Sequence, residues 1–371
     1  MCTKTVMDTT DPDIFFDENG ICNYYHYFNK EIKPILESSA SKDSSRRKLV
    51  QEIKTAGKHS EYDCVIGVSG GVDSSYLAYY LKRIEGLRPL AVHLDGGWNS
   101  ELAVKNIENL LKVLDIDLYT HVIDWREMRD VHVAFLKSGV ANQDIPQDHA
   151  IVAILFKIAR EHGIRYIIGG QNLSTESILP QAWGHNLLDS KHLKSIHKKF
   201  GQIRLKTYPI ITLFYYHFVS RFIHGIKLIR FLNFIEYDKD KAMHILENEL
   251  GWKYYGGKHY ESRFTKFFQS YFLPTRFGYD KRKAHLSSMI LSGQITRDEA
   301  LKELEKPLYN QKELEEDKEY ILKKLELSSE EFEELMNMPR RTHKDYPSND
   351  TVYQFVRSIY LFLKRFRLKS L

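Results

Sequence analysis

The chain has 371 residues, 43% of them hydrophobic, which allows one main domain with a helical appendage. Its formal net charge of +5 is too small and too dispersed to argue for nucleic-acid binding. Three cysteines, Cys2, Cys22 and Cys64, exclude a disulfide framework, and no apolar run near the N-terminus is typical of a signal peptide. We therefore expect a cytoplasmic protein.

Three regions follow one another along the chain. Residues 1–60 form an N-terminal extension that is polar and turn-rich at first and helical over 27–55. Residues 61–205 alternate short apolar runs with helical periodicity, which predicts an α/β domain with a doubly wound parallel sheet. Its predicted strands are 65–68, 90–94, 119–123 and 166–168, all short and buried, and its predicted helices are 74–84, 101–113, 125–137 and 148–161.

A glycine-rich turn follows the first predicted strand and opens a helix. Glycine and serine at such a turn let backbone N–H groups converge on a phosphate, and the helix N-terminus adds partial positive charge. The aspartate in the turn is placed to bind a metal that the phosphate carries. The turn consists of Ser69, Gly70, Gly71, Val72, Asp73, Ser74 and Ser75.

This turn resembles the PP-loop of the ATP pyrophosphatases, which include GMP synthetase, NAD synthetase and asparagine synthetase. No lysine follows Gly71, as a kinase-type P-loop would require. The resemblance implies ATP and Mg²⁺, an attack on the α-phosphate that releases pyrophosphate, and displacement of AMP by a nucleophile. It also implies that ATP is bound by six residues of the turn: Ser69, Gly70, Gly71, Asp73, Ser74 and Ser75.

Ligands of parallel sheets bind at the carboxyl ends of the strands, so the loops there hold further candidates. Gly170 is predicted to bind ATP. Asp95 either contacts the nucleotide or caps the following helix. Asn172 and Glu176 resemble the Asn-x-x-Glu of PP-loop amidotransferases, with one extra residue between them, and either bind substrate or metal or have no role.

Residues 206–371 are predicted to be mainly helical and to bind substrate or a partner. The predicted helices are 258–272, 281–291, 297–304, 312–325 and 329–336. Lys281 and Arg282 at a helix start either stabilise the departing pyrophosphate or are solvated. The remaining candidates either bind an anionic sugar nucleotide or belong to the surface or core; they are Trp183, Lys258, Glu261 and Arg263.

Two segments, 208–237 and 353–371, combine aromatic and basic residues. Basic residues interrupt the apolar run of the first, so neither reaches the ~20 apolar residues of a membrane span. We predict amphipathic helices that pack on the domain or a partner, or that contact a membrane surface.

The chain is also similar, almost end to end, to the WbpG-type N-acetyl sugar amidotransferases of bacterial O-antigen biosynthesis. The resemblance implies conversion of an acetamido group on a nucleotide-activated sugar, first of all a UDP-linked diacetamido uronic acid, to an acetamidino group. Adenylation of the amide oxygen and attack by ammonia would give this product. The matching segments are 6–14, 16–23, 169–172, 175–176, 183–184, 256–266 and 279–287.

A nitrogen source must come from elsewhere if ammonia is the nucleophile. Only about 60 residues precede the first strand, too few for a glutaminase domain. The resemblance implies a separate partner pair similar to the glutaminase and cyclase-like subunits of imidazole glycerol phosphate synthase.

The family often carries two CxxC pairs at zinc-knuckle spacing near its N-terminus. In this chain Thr5 and Tyr25 replace the second cysteine of each pair, which leaves Cys2 and Cys22. His26 is a candidate third ligand. Two thiolates are too few for a structural zinc site, so we expect this segment to fold by apolar packing.

Two other functions fit the same residues less well. One is another PP-loop reaction, such as sulfur insertion into tRNA, although no catalytic cysteine pair is visible. The other is a non-catalytic scaffold that holds the glutaminase pair at a membrane-associated polysaccharide assembly.

Overall fold

A computed structural model describes residues 1–351 and 353. Its centre is a five-stranded, fully parallel sheet with strand order β3-β2-β1-β4-β5. The strands are β1 Cys64–Gly67, β2 Pro89–Asp95, β3 Leu118–Val122, β4 Tyr166–Gly169 and β5 Lys227–Arg230.

Sixteen α-helices surround or extend the sheet in the described part of the chain. The first nine are α1 Asn23–Tyr27, α2 Lys33–Glu37, α3 Ser39–Ala56, α4 Val72–Tyr79, α5 Glu101–Leu114, α6 Trp125–Ser138, α7 Ile145–Glu161, α8 Leu173–Glu176 and α9 Ser190–Phe200. The rest are α10 Lys239–Leu250, α11 Arg263–Phe267, α12 Leu273–Phe277, α13 Lys281–Leu291, α14 Arg297–Glu305, α15 Gln311–Leu325 and α16 Ser329–Asn337.

Apolar residues on both faces of the sheet are buried under helices, which confirms the predicted doubly wound α/β fold. Helices α3, α4, α5 and α10 pack on one face, and α6, α7 and α9 pack on the other. A third apolar cluster holds α11 and α12 against α15 and α16. The C-terminal helices therefore have a core of their own beside the sheet.

Chain segments after residue 205 differ from the prediction in two ways. A fifth strand, β5, pairs in parallel with β4, although we predicted a mainly helical region without a strand at this position. The amphipathic helix predicted over 208–237 is shorter, a π-helical stretch over Tyr215–Ile223, and the chain then enters β5. The predicted helix at 353–371 lies outside the described residues.

Strand β3 also departs from the expected full burial. It lies at an edge of the sheet, and its side chains alternate between exposed and half-buried positions. An edge strand has a neighbour on one side only, so its outward residues reach solvent.

The sheet reverses its strand order between β1 and β4, which are adjacent although far apart in sequence. Ligands of doubly wound sheets bind in the crevice that opens at such a switch point. The glycine-rich turn follows β1 and Gly170 follows β4, so both candidate loops border this crevice.

The N-terminal extension packs against α13 and α14. Ser287 accepts a hydrogen bond from the backbone of Val6, and Arg297 donates to the carbonyl oxygens of Cys2 and Thr5. The Thr5 hydroxyl lies 3.6 Å from the sulfur of Cys22. These hydrogen bonds attach the extension to the helical region, and none of those made by Ser287 and Arg297 involves a cysteine side chain.

Two carboxylates of α6 hold the segment that follows α9. Glu127 accepts hydrogen bonds from the backbone N–H groups of Lys206, Thr207 and Tyr208. Asp130 pairs with His197 at 2.7 Å and accepts from the backbone of Gln202. Burial alone would raise the pKa of Glu127, but the backbone hydrogen bonds outweigh it and the pKa is lowered.

We expect Glu127→Ala to lower the free energy of unfolding by about 3 kcal/mol at neutral pH, because buried N–H groups lose their acceptor. The lowered pKa means that the wild-type stabilisation is present above the ordinary Glu value of 4.5 and is lost as the pH falls through the folded value. Denaturant unfolding at pH 7 and pH 3 measures both effects. Glu108→Ala, at an exposed position of α5, is the matched control; an equal loss in that variant would contradict the prediction.

Candidate active site

The turn after β1 has a backbone that only glycine adopts easily. Gly70 has φ +80°, and a side chain there would approach the carbonyl oxygen of Ala103 to 2.7 Å. The indole of Trp252 donates a hydrogen bond to the Gly70 carbonyl oxygen at 2.8 Å. The turn is therefore held tightly against α5 and the segment that follows α10.

Helix α4 begins at Val72 with Gly71 in the N-cap position, and no side chain caps it. Its first N–H groups, apart from that of Val72, which donates to the Tyr255 hydroxyl, therefore have no capping side chain, and such helix N-termini can bind phosphate. Gly170 packs so closely that a side chain would meet the backbone of Asp73 and Ser74 at 3.2 Å. A narrow cradle of backbone groups results, and it fits the predicted phosphate group.

The cradle opens into a cavity of about 200 Å³. The cavity collects residues from the loops after β1 and β4, from the segment before α11, and from α10 and α13. Its lining is Ser69, Gly71, Val72, Asp73, Ser74, Gly170, Gln171, Thr175, Glu176, Lys239, Tyr254, Tyr255, Gly257, Lys258, His259, Glu261 and His285.

A lysine lies between two carboxylates at the centre of this cavity. The ammonium of Lys258 is 2.7 Å from Glu176 and 3.9 Å from Asp73. Burial raises the pKa of Asp73, and the neighbouring Glu176 adds to this although Lys258 opposes it. Burial would also raise the pKa of Glu176, but the ion pair with Lys258 outweighs it and the pKa is lowered. The ammonium of Lys258 therefore balances negative charge on both carboxylates.

Lys258 reaches the cavity because its segment is fastened at both ends. At one end the Asn106 side chain exchanges two hydrogen bonds with the backbone of Lys253. At the other end the backbone N–H of Ser100 donates to the backbone carbonyl oxygen of Glu261 at 2.9 Å. His259, between them, has φ +64°, a left-handed conformation that costs a non-glycine residue free energy and is frequent at functional sites.

Two residues of the same segment contact the glycine-rich turn directly. The Tyr255 hydroxyl accepts a hydrogen bond from the Val72 N–H at 3.2 Å, at the first turn of α4. Glu261 lies 3.5 Å from the Ser69 hydroxyl, and its other oxygen is buried without a hydrogen-bond partner. Tyr255 thus occupies the position where an anion would meet the helix N-terminus.

His285 enters the cavity from α13, which is fastened to the segment containing α8. Ser292 donates to the Ser174 carbonyl oxygen, and His285 Nδ1 lies 2.8 Å from the carbonyl oxygen of Thr175. A carbonyl oxygen only accepts hydrogen bonds, so the proton is on Nδ1 and Nε2 carries a lone pair. Nε2 has no hydrogen-bond partner.

Burial lowers the pKa of His285 well below its usual value, and the nearby cations Lys258 and Lys239 lower it further. The pKa of Lys239 is itself lowered by burial and by Lys258. The cavity therefore contains two lysines and a neutral imidazole beside the phosphate cradle.

Several predicted site residues do not line the cavity. Arg263 forms an ion pair with Asp317 at 2.6 Å, and Arg282 forms one with Asp280 and also donates to carbonyl oxygens at the end of α14. Both guanidinium groups are thus engaged in holding helices together. Neither arginine is therefore assigned a role in the proposed function.

Trp183 is 1% exposed and stacks on Tyr279, so it is a core residue and cannot stack on a sugar. Asn172 is buried and caps α8 through the N–H of Thr175, which positions Glu176 in the same helix. Asp95 accepts hydrogen bonds from Gly97 and Asn99 within its own loop.

The remaining predicted residues, Ser75, Gly70 and Lys281, also lie outside the cavity lining. Ser75 is fully buried beneath the turn, and Gly70 shapes the turn without lining the cavity. Lys281 lies near Asp148, where burial and Asp144 raise the pKa of the Asp148 carboxyl to about 7 although Lys281 lowers it.

Residues that the sequence did not single out complete the site. Tyr237 donates a hydrogen bond to Asp73, and Lys239, Tyr255 and His285 line the cavity. One signal was present: Lys239 is the first residue of α10, where the helix dipole disfavours a cation. The other three carried no local signal.

Metal binding at this site would rest on Asp73 and Glu176 together with phosphate oxygens. Two carboxylates with substrate phosphates are a usual environment for Mg²⁺. Within residues 1–351 and 353, no group of three or more His, Cys, Asp or Glu side chains is arranged to hold a metal ion.

In the same residues, no helix has the length and hydrophobicity needed to cross a membrane.

Solved structures similar to this chain include two synthetases and a thiolase. NMN synthetase from Francisella tularensis is 19% identical over 56% of this chain and 93% of its own, with a TM-score of 0.29. NH3-dependent NAD synthetase from Campylobacter jejuni is 15% identical over 57% and 93%, also with 0.29. The U34-tRNA thiolase NcsA from Methanococcus maripaludis is 15% identical over 67% and 77%, with 0.32. Such TM-scores carry no argument about function.

Comparison with curated protein sequences gave no match. A family model described as "LPS biosynthesis protein WbpG-like, C-terminal domain" matches residues 261–360. The matched segment begins at Glu261 in the cavity lining and contains His285. Over residues 261–360 the chain is thus similar to the C-terminal domain of WbpG-like proteins, in agreement with the resemblance noted in its sequence.

Proposed function

We propose that the protein is an ATP-dependent amidotransferase that converts an acetamido group of a nucleotide-activated sugar to an acetamidino group. One observation carries the proposal: a phosphate cradle, three carboxylates, two lysines and the neutral imidazole of His285 meet in one cavity. The carboxylates suit a metal–phosphate complex, the lysines suit departing pyrophosphate, and the histidine suits proton transfer. The family of residues 261–360 supports a role in lipopolysaccharide biosynthesis.

ATP would bind with its phosphates on the first turn of α4. Ser69, Ser74 and the backbone of the glycine-rich turn donate to phosphate oxygens, and the Tyr255 hydroxyl gives up its place at Val72. A Mg²⁺ ion held by Asp73 and Glu176 would neutralise phosphate charge. Lys258, now released from these carboxylates, would turn its ammonium to the same phosphates.

In the first step the acetamido oxygen attacks the α-phosphorus. The bond from phosphorus to the bridging oxygen breaks, pyrophosphate leaves, and the amide N–H proton passes to solvent water, which leaves an O-adenyl imidate. Negative charge develops on the leaving pyrophosphate, where Lys258 and Lys239 stabilise it. The amide oxygen is a weak nucleophile, so orientation in the cavity supplies much of the acceleration.

In the second step ammonia attacks the imidate carbon. A proton leaves the incoming nitrogen, AMP leaves with the former amide oxygen, and the amidine remains. We assign this proton to His285 Nε2, which has no hydrogen-bond partner while Nδ1 is bound to Thr175; the unpartnered oxygen of Glu261 is a second acceptor in the cavity lining. Bound ATP would offset the two lysines that lower the pKa of His285, so the imidazole becomes a better base when substrate is present.

Substrate and nitrogen source follow from the resemblance noted in the sequence. We propose a UDP-linked N-acetylated sugar, first of all a diacetamido uronic acid, and ammonia from a separate glutaminase and cyclase-like pair. Lys258 and Lys239 suit an anionic substrate as well as ATP.

The decisive experiment incubates the protein with ATP, Mg²⁺, ammonium and UDP-linked N-acetylated sugars and identifies the products. We expect AMP and pyrophosphate, formed only when an acceptor sugar is present, and a sugar product in which NH replaces one oxygen by mass spectrometry. Formation of ADP and orthophosphate would overturn the proposal. Sugar binding without turnover would favour the scaffold, and turnover with tRNA and a sulfur donor would favour thiolation.

Lys258→Gln tests the role of the lysine between the carboxylates. We expect KM for ATP to rise and kcat to fall, so that kcat/KM drops about tenfold, the cost of one lost charge contact of about 1.4 kcal/mol. Steady-state rates of pyrophosphate release at varied ATP concentrations measure this. Lys253→Gln, whose backbone but not side chain is bound to Asn106, is the control, and the same rise in that variant would contradict the assignment.

A further inference from the structure

Three phenylalanines that do not belong to the cavity lining form an exposed row. Phe214, Phe218 and Phe222 are 67%, 46% and 74% exposed, and Ile223 beside them is 73% exposed. In the π-helical stretch that carries them, the i→i+5 hydrogen bonds bring residues four apart nearly into line. The rings of Phe214 and Phe218 stack with centroids 5.5 Å apart. We call these four residues the phenylalanine ridge.

An exposed row of this kind is unusual within the described residues. Apart from Phe15, no other phenylalanine there ranks among the exposed large hydrophobic residues. Leaving such side chains in water forgoes roughly 1.5 to 3 kcal/mol each, so contiguous exposed apolar groups usually mark an interaction site.

Sequence around the ridge contains no negative charge. Between Asp189 and Glu236 there is no Asp or Glu. All nine lysines and arginines in that interval are exposed, and none forms an ion pair among the described residues. They are Lys191, Lys194, Lys198, Lys199, Arg204, Lys206, Arg221, Lys227 and Arg230.

The end of the chain continues the same composition. No acidic residue follows Asp350, whereas five basic residues and three phenylalanines do. The described chain ends beside the ridge, because the ring of Tyr353 lies 5.6 Å from that of His217. Seven residues earlier, Tyr346 has Lys199 of α9 over its ring at 5.6 Å. Seven residues span at most about 25 Å, which limits how far the C-terminal end of α9 can lie from the ridge.

Several partners bind basic surfaces, but the apolar ridge discriminates among them. Duplex nucleic acid would pair with the cations without needing the phenylalanines, and single strands, whose bases stack on aromatic rings, would leave the exposed aliphatic Ile223 without a counterpart. A bilayer interface accommodates both, since phenylalanines enter the acyl boundary while lysine and arginine pair with anionic headgroups. The absence of acid along the whole interval is what an anionic surface selects for.

We infer that the phenylalanine ridge and the surrounding basic residues form a docking face for an anionic bilayer surface. Insertion of the ridge would be shallow and reversible, with the basic residues adding salt-sensitive attraction. Docking there would hold the enzyme at a membrane while the cavity, whose lining includes none of these residues, stays accessible. The inference does not depend on the reaction proposed above.

Co-sedimentation of the full chain with vesicles tests this. We expect binding to vesicles that contain phosphatidylglycerol, at least tenfold weaker binding to pure phosphatidylcholine, and a marked loss at high salt. The triple variant Phe214→Ser, Phe218→Ser and Phe222→Ser should lose at least tenfold in affinity for anionic vesicles and keep its thermal unfolding midpoint. Phe15→Ser, at a residue 67% exposed elsewhere, should bind like wild type.

A double variant, Arg221→Glu with Lys227→Glu, separates the contribution of charge from that of the apolar side chains. It should reduce binding to anionic vesicles although the four ridge residues are unchanged. Lack of binding of the full chain to anionic vesicles would overturn the inference. So would equal loss in Phe15→Ser, or a ridge variant that changes only self-association in sedimentation velocity, which would assign the ridge to a second copy of the chain. Tight RNA binding that the ridge variant abolishes would also overturn it.

Discussion

Asp73→Asn should abolish formation of AMP, by at least about 10³-fold, and should leave the protein folded. The side chain lies in the cavity at the first turn of α4, where Tyr237 donates to it and Lys258 approaches it. Asparagine keeps an oxygen that accepts from Tyr237, so the local packing survives. It removes the charge on which a metal–phosphate complex would depend.

The same substitution should not lower stability, and this separates a functional carboxylate from a structural one. Burial raises the pKa of Asp73 above its ordinary 3.8, so the ionised form is disfavoured in the folded protein. The free energy of unfolding is therefore highest at low pH, where Asp73 is protonated in both states, and it falls as the pH rises through the folded pKa of Asp73. At neutral pH the ionised Asp73 thus costs stability, and Asp73→Asn should equal or exceed wild type.

Pyrophosphate release and thermal unfolding at pH 5 and pH 8 measure the two effects together. Asp298→Asn, exposed in the first turn of α14, is a control that should change neither. Retained turnover in Asp73→Asn would remove the glycine-rich turn from the mechanism. A large loss of stability at pH 8 would instead make Asp73 a structural residue.

The central part of the site was predictable because its determinants are local. The glycine-rich turn, the strand before it and the helix after it lie within about twenty residues, and the chemistry of the turn depends on its own backbone. Strands β1, β2 and β4 were equally clear because buried parallel strands are short apolar runs with helices between them, whereas the burial of the edge strand β3 was overestimated. The sheet then brings Gly170 and Glu176 to the same edge without further information.

The rest of the site depends on contacts between distant segments. His285 reaches the cavity only because α13 packs against the segment around α8, more than a hundred residues earlier. Arg263 looked like a substrate ligand because Asp317, its partner on α15, is 54 positions away in sequence. Strand β5 escaped prediction because its few residues, Lys227–Arg230, continue a basic and aromatic pattern that also suits a helix.

His285→Asn should separate the two halves of the proposed reaction. Asparagine can still donate to the Thr175 carbonyl oxygen from near the position of Nδ1, but it has no group in place of Nε2. If Nε2 accepts the proton from ammonia, amidine formation should fall by about 10²-fold. Adenylation does not need that acceptor, so exchange of labelled pyrophosphate into ATP should stay within a few-fold of wild type.

A merely structural role for His285 would affect both halves alike, which makes the ratio of the two rates the informative quantity. Ser292→Ala is the matched control, because it removes a hydrogen bond between the same two segments without removing a base. It should leave the ratio unchanged, even if both rates decline slightly. His285→Gln extends the test: its amide can accept a hydrogen bond near Nε2 but cannot take up a proton, so amidine formation should remain low. Equal losses of exchange and amidine formation in His285→Asn would show that the imidazole positions the site and does not act as the base.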